Sequence, residues 1–273
     1  MKKINKILFL LITTTAALVS CSKEDIDSKT TDTTTVAASS TIDAANAHDV
    51  QTGIEINATN NTTTARTSVA AETCAVITAI QADTYPKVFT VDYGTVGCTI
   101  GAITRKGKLK ITFTAPIYET GSKMTIERID YSINGRKLEG TIDYLNITTD
   151  ATIPQWTRTV TNGKFTDLSG NVFLNSGSYT MKQTGGVGTP FLLADNIYEM
   201  IQGKHVVTNA AGETLTLTVL ESLVKKNDCE YISKGKLQIE GGLLNGVINY
   251  GNNDCDNNYT YTHHNGFIFE LKM

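Results

Sequence analysis

Five cysteines are the side chains of this chain best equipped for chemistry: Cys21, Cys74, Cys98, Cys229 and Cys255. A thiol can be acylated, oxidised to a disulfide or bound to zinc, and its spacing from other ligands separates these fates. No cysteine pair has close ligand spacing, which speaks against zinc. Cys74 lies 24 residues before Cys98, and Cys229 lies 26 before Cys255. The surrounding sequence repeats: Asp92-Tyr93-Gly94, three residues and Cys98 are matched by Asn249-Tyr250-Gly251, three residues and Cys255. This duplication favours the local pairs Cys74–Cys98 and Cys229–Cys255. The alternative is a bridge between the two halves, such as Cys74–Cys229. Each local bridge would stabilise the fold by about 3.5 kcal/mol through the entropy it removes from the unfolded chain.

Other reactive types carry less. His263-His264 looks like a ligand pair, but neighbours on a strand point to opposite faces, and the adjacent Asn265-Gly266 marks solvated hairpin residues. His48 and His205 have no cysteine or carboxylate at ligand spacing. The run from Asn252 to Asn258 is rich in oxygens of the kind calcium takes. It lacks the glycine-centred loop with a closing glutamate, and the first copy, Thr95 to Thr99, holds no acid. No metal and no other cofactor is expected. Ser176-Gly177-Ser178 reads as a turn, and Gly185-Gly186-Val187-Gly188 as a loop without the lysine of a phosphate cradle. Glu127, Asp130, Glu139 and Asp143 would serve a glycoside hydrolase only if two of them faced each other across a cleft. On strands they read as a wet sheet face. Tyr259, Tyr261 and the single tryptophan, Trp156, are candidates for stacking on a ligand ring. Aromatic rings on strands also stabilise cross-strand pairs.

These residues need elements to position them. From Thr73 onward apolar and polar residues alternate. Leu109, Ile111 and Phe113 share one strand face, and Thr214 to Val219 repeats the pattern with threonines outward. Asn134-Gly135, Asn162-Gly163, Asn245-Gly246 and Asn265-Gly266 signal tight hairpins, with Lys106-Gly107 a weaker fifth. The expectation is a mostly β fold: an antiparallel meander, an open barrel or sandwich, of roughly a dozen strands. Residues 73–273 form this β domain, with related ends at 73–115 and 228–273. Before it, 41–72 is a variable segment with room for one short helix over Thr41 to Ile56, weakened by Gly53. Residues 21–40 are rich in Thr, Ser, Asp and Ala and read as a flexible tether.

The first twenty residues read as a secretory signal. Lys2, Lys3 and Lys6 precede a short apolar core from Ile7 to Val19, too short to span a bilayer. Leu18-Val19-Ser20-Cys21 resembles the lipobox of bacterial lipoproteins. The resemblance implies cleavage before Cys21, diacylation of its thiol, acylation of the new N-terminus and a stable membrane anchor. Ser22-Lys23-Glu24-Asp25 resembles the export signal of Bacteroidota surface lipoproteins, which implies display on the outer face of the outer membrane; the alternative faces the periplasm. Asp32-Thr33-Thr34 resembles the O-glycosylation motif of Bacteroidota secreted proteins, making Thr33 a candidate acceptor. Removing residues 1–20 takes three lysines from 24 Lys+Arg and leaves 27 Asp+Glu, a formal charge of −6. That balance argues against nucleic acid as a partner.

Two further segments carry a family resemblance. Leu223-Val224-Lys225-Lys226, Cys229, Ile232-Ser233-Lys234-Gly235, Tyr250-Gly251 and Cys255-Asp256-Asn257 look like the C-terminal signature of uncharacterised Bacteroidota (flavobacterial-type) surface lipoproteins with duplicated Tyr-Gly-x-x-x-Cys segments. Asp92-Tyr93-Gly94, Cys98 and Arg105-Lys106-Gly107-Lys108 are similar to that family's first copy. The chain departs at Asn249, usually Asp, and at Tyr231, usually Trp. The resemblance implies location and architecture but no activity. The expected function is a non-catalytic binding or structural lipoprotein of the cell envelope, anchored through its lipid. The alternatives are an accessory carbohydrate-binding lipoprotein and a secreted hydrolase.

Overall fold

The computed structural model describes residues 32–60, 74–81, 84–189 and 192–273. Cys21, the signal segment and the export signal lie outside the described residues.

One α-helix, one short 3-10 helix (Leu193–Asp195) and fourteen strands are present among the described residues, all the strands in a single antiparallel sheet. Helix α1 spans Thr34–Asn60. The strands are β1 (Val76–Gln81), β2 (Lys87–Asp92), β3 (Cys98–Ile100), β4 (Ile103–Phe113), β5 (Lys123–Ile133), β6 (Arg136–Asn146) and β7 (Gln155–Thr166). They continue with β8 (Val172–Gly185), β9 (Ile197–Thr208), β10 (Thr214–Lys226), β11 (Lys234–Glu240), β12 (Gly246–Asn252), β13 (Asn258–His263) and β14 (Ile268–Lys272). Apart from β3, which pairs only with β4, sheet order follows chain order from β1 to β14. The sheet is an open meander, not a closed barrel.

Alternation sets which face is inside. Leu109, Ile111 and Phe113 are fully buried, as are Leu215 and Leu217 on β10, while the residues between them are partly or fully exposed. The buried face wraps α1. Val36, Ser39, Ser40, Ile42, Asp43, Asn46 and Asp49 point in different directions around the helix, and each has no exposed surface. Only a sheet coiled round the helix can bury all of them.

Bulges produce the coil. Gly107 has φ +79°, and the ladder slips beside it between Lys106 and Lys108. Across from it Asp130, at φ 47°, occupies the matching irregularity of β5. A side chain on Gly107 would strike the Asp130 carbonyl, so the position admits only glycine. Gly140 on β6 repeats the device against Asn162 on β7. Such bulges sharpen local twist and bend a sheet.

This corrects two expected turns. Lys106-Gly107 and Asn162-Gly163 lie inside β4 and β7 as bulges. Asn134-Gly135 does close the β5–β6 hairpin with φ 48° and 78°. Asn265-Gly266 lies in the β13–β14 turn, and Asn245 ends the β11–β12 loop by accepting the Gly241 N–H at 2.8 Å.

The helix is the larger correction. It begins at Thr34, so residues 34–40 of the expected tether are helical, and it runs past the expected end at Ile56. The Asp32 carboxylate accepts the Thr34 N–H at 2.9 Å, and the Thr33 carbonyl takes the first helical N–H, from Ala37. Thr33, the candidate acceptor, is therefore a half-buried cap residue. Burial all round explains the weak signal: a helix with no wet face has no amphipathic period to read. Its alanines, serines and Gly53 keep it thin enough to lie within the coil.

Candidate functional site

Two buried ion clusters fix the helix. Asp43 accepts from Arg158 Nη2 on β7 at 2.9 Å and from the Tyr179 hydroxyl on β8 at 3.5 Å; His205 Nδ1 on β9 stands 3.6 Å away. Burial pushes the Asp43 carboxyl upward, but His205 and Arg158 outweigh it and hold the group below the usual carboxylate range. Two turns on, Asp49 accepts from Arg128 Nε at 2.8 Å and Nη2 at 2.6 Å, and from the Tyr131 hydroxyl at 2.6 Å, all from β5. Arg128 Nη2 also reaches Asn46 at 2.8 Å. In both clusters the carboxylate and guanidinium are sealed from water. These groups lock helix to sheet.

The duplicated cysteine segments are bonded as the repeat suggests. Cys74 joins Cys98 and Cys229 joins Cys255. Each copy carries the same Asx turn: Gly94 N–H donates to Asp92 Oδ1 at 2.9 Å, and Gly251 N–H donates to Asn249 Oδ1 at 3.0 Å. Each copy also buries its tyrosine, with Tyr250 donating to Ser40 of the helix at 3.3 Å and Tyr93 hydrogen-bonded to Thr52. The repeat is thus a pair of similar clasps on one helix.

The coil carries the β10–β11 loop round to the β3–β4 turn, where Glu230 accepts the Ala102 N–H at 3.0 Å. Beneath this contact lies a cavity of about 230 Å³, floored by His48, Gln51, Thr52 and Glu55 and walled by Arg105 and Cys229. His48 is buried and its Nε2 has no hydrogen-bond partner. Burial, then the nearby Arg105 and Lys225 charges, lower its pKa to about 3. Burial likewise lowers Lys225 to about 8, and its ammonium donates to the Cys229 carbonyl. Asp228, Cys229 and Cys255 sit close enough to share a metal, but both sulfurs are already spent in a disulfide.

A second, wider cleft of about 430 Å³ opens between the β4–β5, β6–β7 and β8–β9 loops. Tyr118, Thr120, Asn146, Thr149, Trp156 and Gln183 are among its lining residues, and no charged side chain is. The loops are stitched together. Asn146 Nδ2 donates to the Ile117 carbonyl at 2.9 Å, Thr120 Oγ1 to the Thr148 carbonyl at 2.7 Å, and Gln183 N–H to the Pro154 carbonyl at 2.9 Å.

The remaining candidates take these places. Trp156 is 1 % exposed; it stacks on Tyr144 at 5.6 Å and donates to the Ile117 carbonyl, offering the cleft only part of its ring. Tyr259 and Tyr261 do share a face, but it is the inner one, and at 3 % and 0 % exposure neither is a platform for a ligand. Their rings pack on Tyr250 and Phe269, the cross-strand role open to aromatic pairs. The His263 and His264 rings do not diverge but lie 4.2 Å apart, because β13 ends at His263 and His264 belongs to the turn; His263 is buried and His264 exposed. Asn253 and Asp256 use their side-chain oxygens within the chain, accepting from Ser233 and Asn258. On the wet face Glu127 pairs with Lys110 at 2.8 Å, Asp143 with Lys123 at 3.6 Å, and Glu139 with Lys137 and Lys164, both at 3.3 Å. Sequence reading missed Asp43, Asp49, Arg128 and Arg158, whose partners are 79 and 115 residues apart in the chain. Charged residues at inward positions of alternating strands were the signal available.

No protein-family model, curated protein or solved structure matches the chain.

Proposed function

We propose that the chain is a lipid-anchored protein of the bacterial cell envelope whose coiled, clasped sheet acts by binding, without catalysis. The observation that carries this reading is the pair of local disulfides, Cys74–Cys98 and Cys229–Cys255. Bridges of this kind form and persist outside the reducing cytosol. The secretory signal and the lipobox-like Leu18-Val19-Ser20-Cys21 agree with that address. The Lys23-Glu24-Asp25 signal extends it to the outer face of the outer membrane in a Bacteroidota-type cell. A role without catalysis is supported by how several of the described carboxylates are used. Asp43 and Asp49 are held by arginines, while Glu127, Glu139 and Asp143 are held by lysines.

Fractionation tests the reading. Wild-type chain should sediment with outer membranes and be cleaved by protease added to intact cells. Cys21→Ser should leave the membrane fraction, since one thioether-linked lipid and its acylated amine are lost together. A Cys21→Ser chain that still sediments with membranes contradicts the anchor.

A further inference from the structure

We propose that the cleft between the β4–β5, β6–β7 and β8–β9 loops binds a neutral saccharide, with the exposed Tyr118 as its main aromatic contact. The inference rests on the binding role above and names its ligand class.

Size comes first. About 430 Å³ lies within the range of small-molecule sites, roughly 300–1,000 Å³, and is the roomiest of the clefts described here. Chemistry narrows the occupant. The lining holds no Asp, Glu, Lys, Arg or His. A phosphate, carboxylate or ammonium would leave water there and meet no opposite charge, a loss of several kcal/mol. A wholly apolar ligand fails for the opposite reason: it would strip water from threonine hydroxyls and amides and leave them unpaired. A sugar ring satisfies both constraints, with hydroxyls for the polar groups and C–H faces for the aromatic ones.

The groups offered fit that ligand. Gln183 commits its amide nitrogen to the Gly185 carbonyl at 2.9 Å and Asn196 Oδ1 at 3.0 Å, which leaves Oε1 as acceptor on a residue only 5 % exposed. Thr149 brings a hydroxyl on an exposed side chain at the rim. Tyr118 is 42 % exposed, the one aromatic ring of the lining open to solvent. Order is already present, because the hydrogen bonds that join the three loops hold these groups without a ligand. A preformed site loses less entropy on binding.

The test is saturation-transfer NMR on the full chain in a sugar-free detergent. The panel holds neutral oligosaccharides, uronic-acid oligosaccharides and a fatty alcohol. Transfer from at least one neutral oligosaccharide is expected, and none from the uronic acids or the alcohol. Ala151→Trp, which fills the cleft from an exposed loop position, should abolish transfer. Tyr118→Ala should weaken binding about two- to tenfold, the usual worth of one aromatic contact, with an unchanged melting temperature. The Tyr118 variant carries the test if the tryptophan variant does not fold. No transfer from any neutral glycan, preference for the charged glycans, or binding that is unchanged in Tyr118→Ala overturns the inference. The Cys21→Ser chain must bind the same panel, so a failed anchor and a failed ligand assignment give different results.

Discussion

Asp49 and Arg128 show how much of this molecule is decided by single side chains. Both are sealed from water, and each satisfies the other. Removing one partner leaves a buried charge, which typically costs about 3–5 kcal/mol, a large share of the roughly 5–15 kcal/mol margin of a folded domain. Asp49→Leu should therefore lower the urea midpoint sharply, and Asp49→Leu with Arg128→Met should recover much of the loss. Equal midpoints for the single and double variants would contradict the pair. His48 gives a pH signature. Its pKa is lowered to about 3 by burial, then by Arg105 of β4 and Lys225 of β10. Glu55 of its own helix, Asp228 and Glu230 of the β10–β11 loop and the Tyr231 ring complete its surroundings. The unfolded chain binds a proton near pH 6.5 that the folded chain refuses. The neutral-histidine contribution is thus complete above that pH and is lost as pH falls toward 3. His48→Gln should flatten urea stability between about pH 6.5 and 4.5, a window set by the unfolded histidine and carboxylate pKa values. Asp43 acts lower: with its folded pKa below the ordinary value, its contribution persists above the unfolded carboxylate pKa and disappears as pH drops through the folded one. None of this was legible in sequence, because His48, Asp43 and Asp49 find their partners only after the sheet coils. In sequence His48 has no ligand at useful spacing; in the fold it meets two cations.

At the scale of elements, helix α1 and the two clasps hold opposite lessons. The clasps were legible because they repeat: Asp92-Tyr93-Gly94 and Asn249-Tyr250-Gly251 make the same turn in sequence and in space. Reduction should cost about 3.5 kcal/mol per bridge, so Cys98→Ala and Cys229→Ala should each lower thermal stability, and the double variant more. An oxidised chain no more stable than the reduced one would argue against the clasps as restraints. The helix was half legible. Its alanines permit it, but its buried polar residues hide it, since Ser39, Ser40 and Asn46 look like tether residues until strands cover them. As a flexible residue Gly53 argues against a helix; in the structure it is a contact point, with Met124 packed where its side chain would stand. Gly53→Leu should destabilise by about 1–3 kcal/mol, against the gain expected for a glycine replaced on an exposed helix face. Calorimetry distinguishes the two signs. The Asn-Gly signals divide in the same way: Asn134-Gly135 turns the chain, whereas Asn162-Gly163 bends a strand, and only the register with Gly140 tells them apart.

Over the whole molecule, period-two alternation from Thr73 onward was enough to give the class, a mostly antiparallel β meander of about the right strand number. How the open sheet coils round the helix was not legible, because it depends on bulges such as Gly107 against Asp130 and on what fills the coil. A sheet with one apolar face needs a partner layer, and here that layer is a single helix from the same chain. Deleting residues 32–60 should therefore leave an insoluble or dye-binding sheet, not a folded one. A soluble, cooperatively melting product would show that the helix is dispensable. The two clefts were invisible to sequence for the same reason, since their lining residues come from loops far apart in the chain. The proposed placement of this clasped domain at a membrane rests on Cys21, and intact mass spectrometry of the chain extracted from envelopes tests it most directly. The account predicts a mature polypeptide beginning at Cys21 and carrying acyl chains there, with both other cysteine pairs oxidised. A chain that starts elsewhere, or carries an unmodified Cys21, contradicts it.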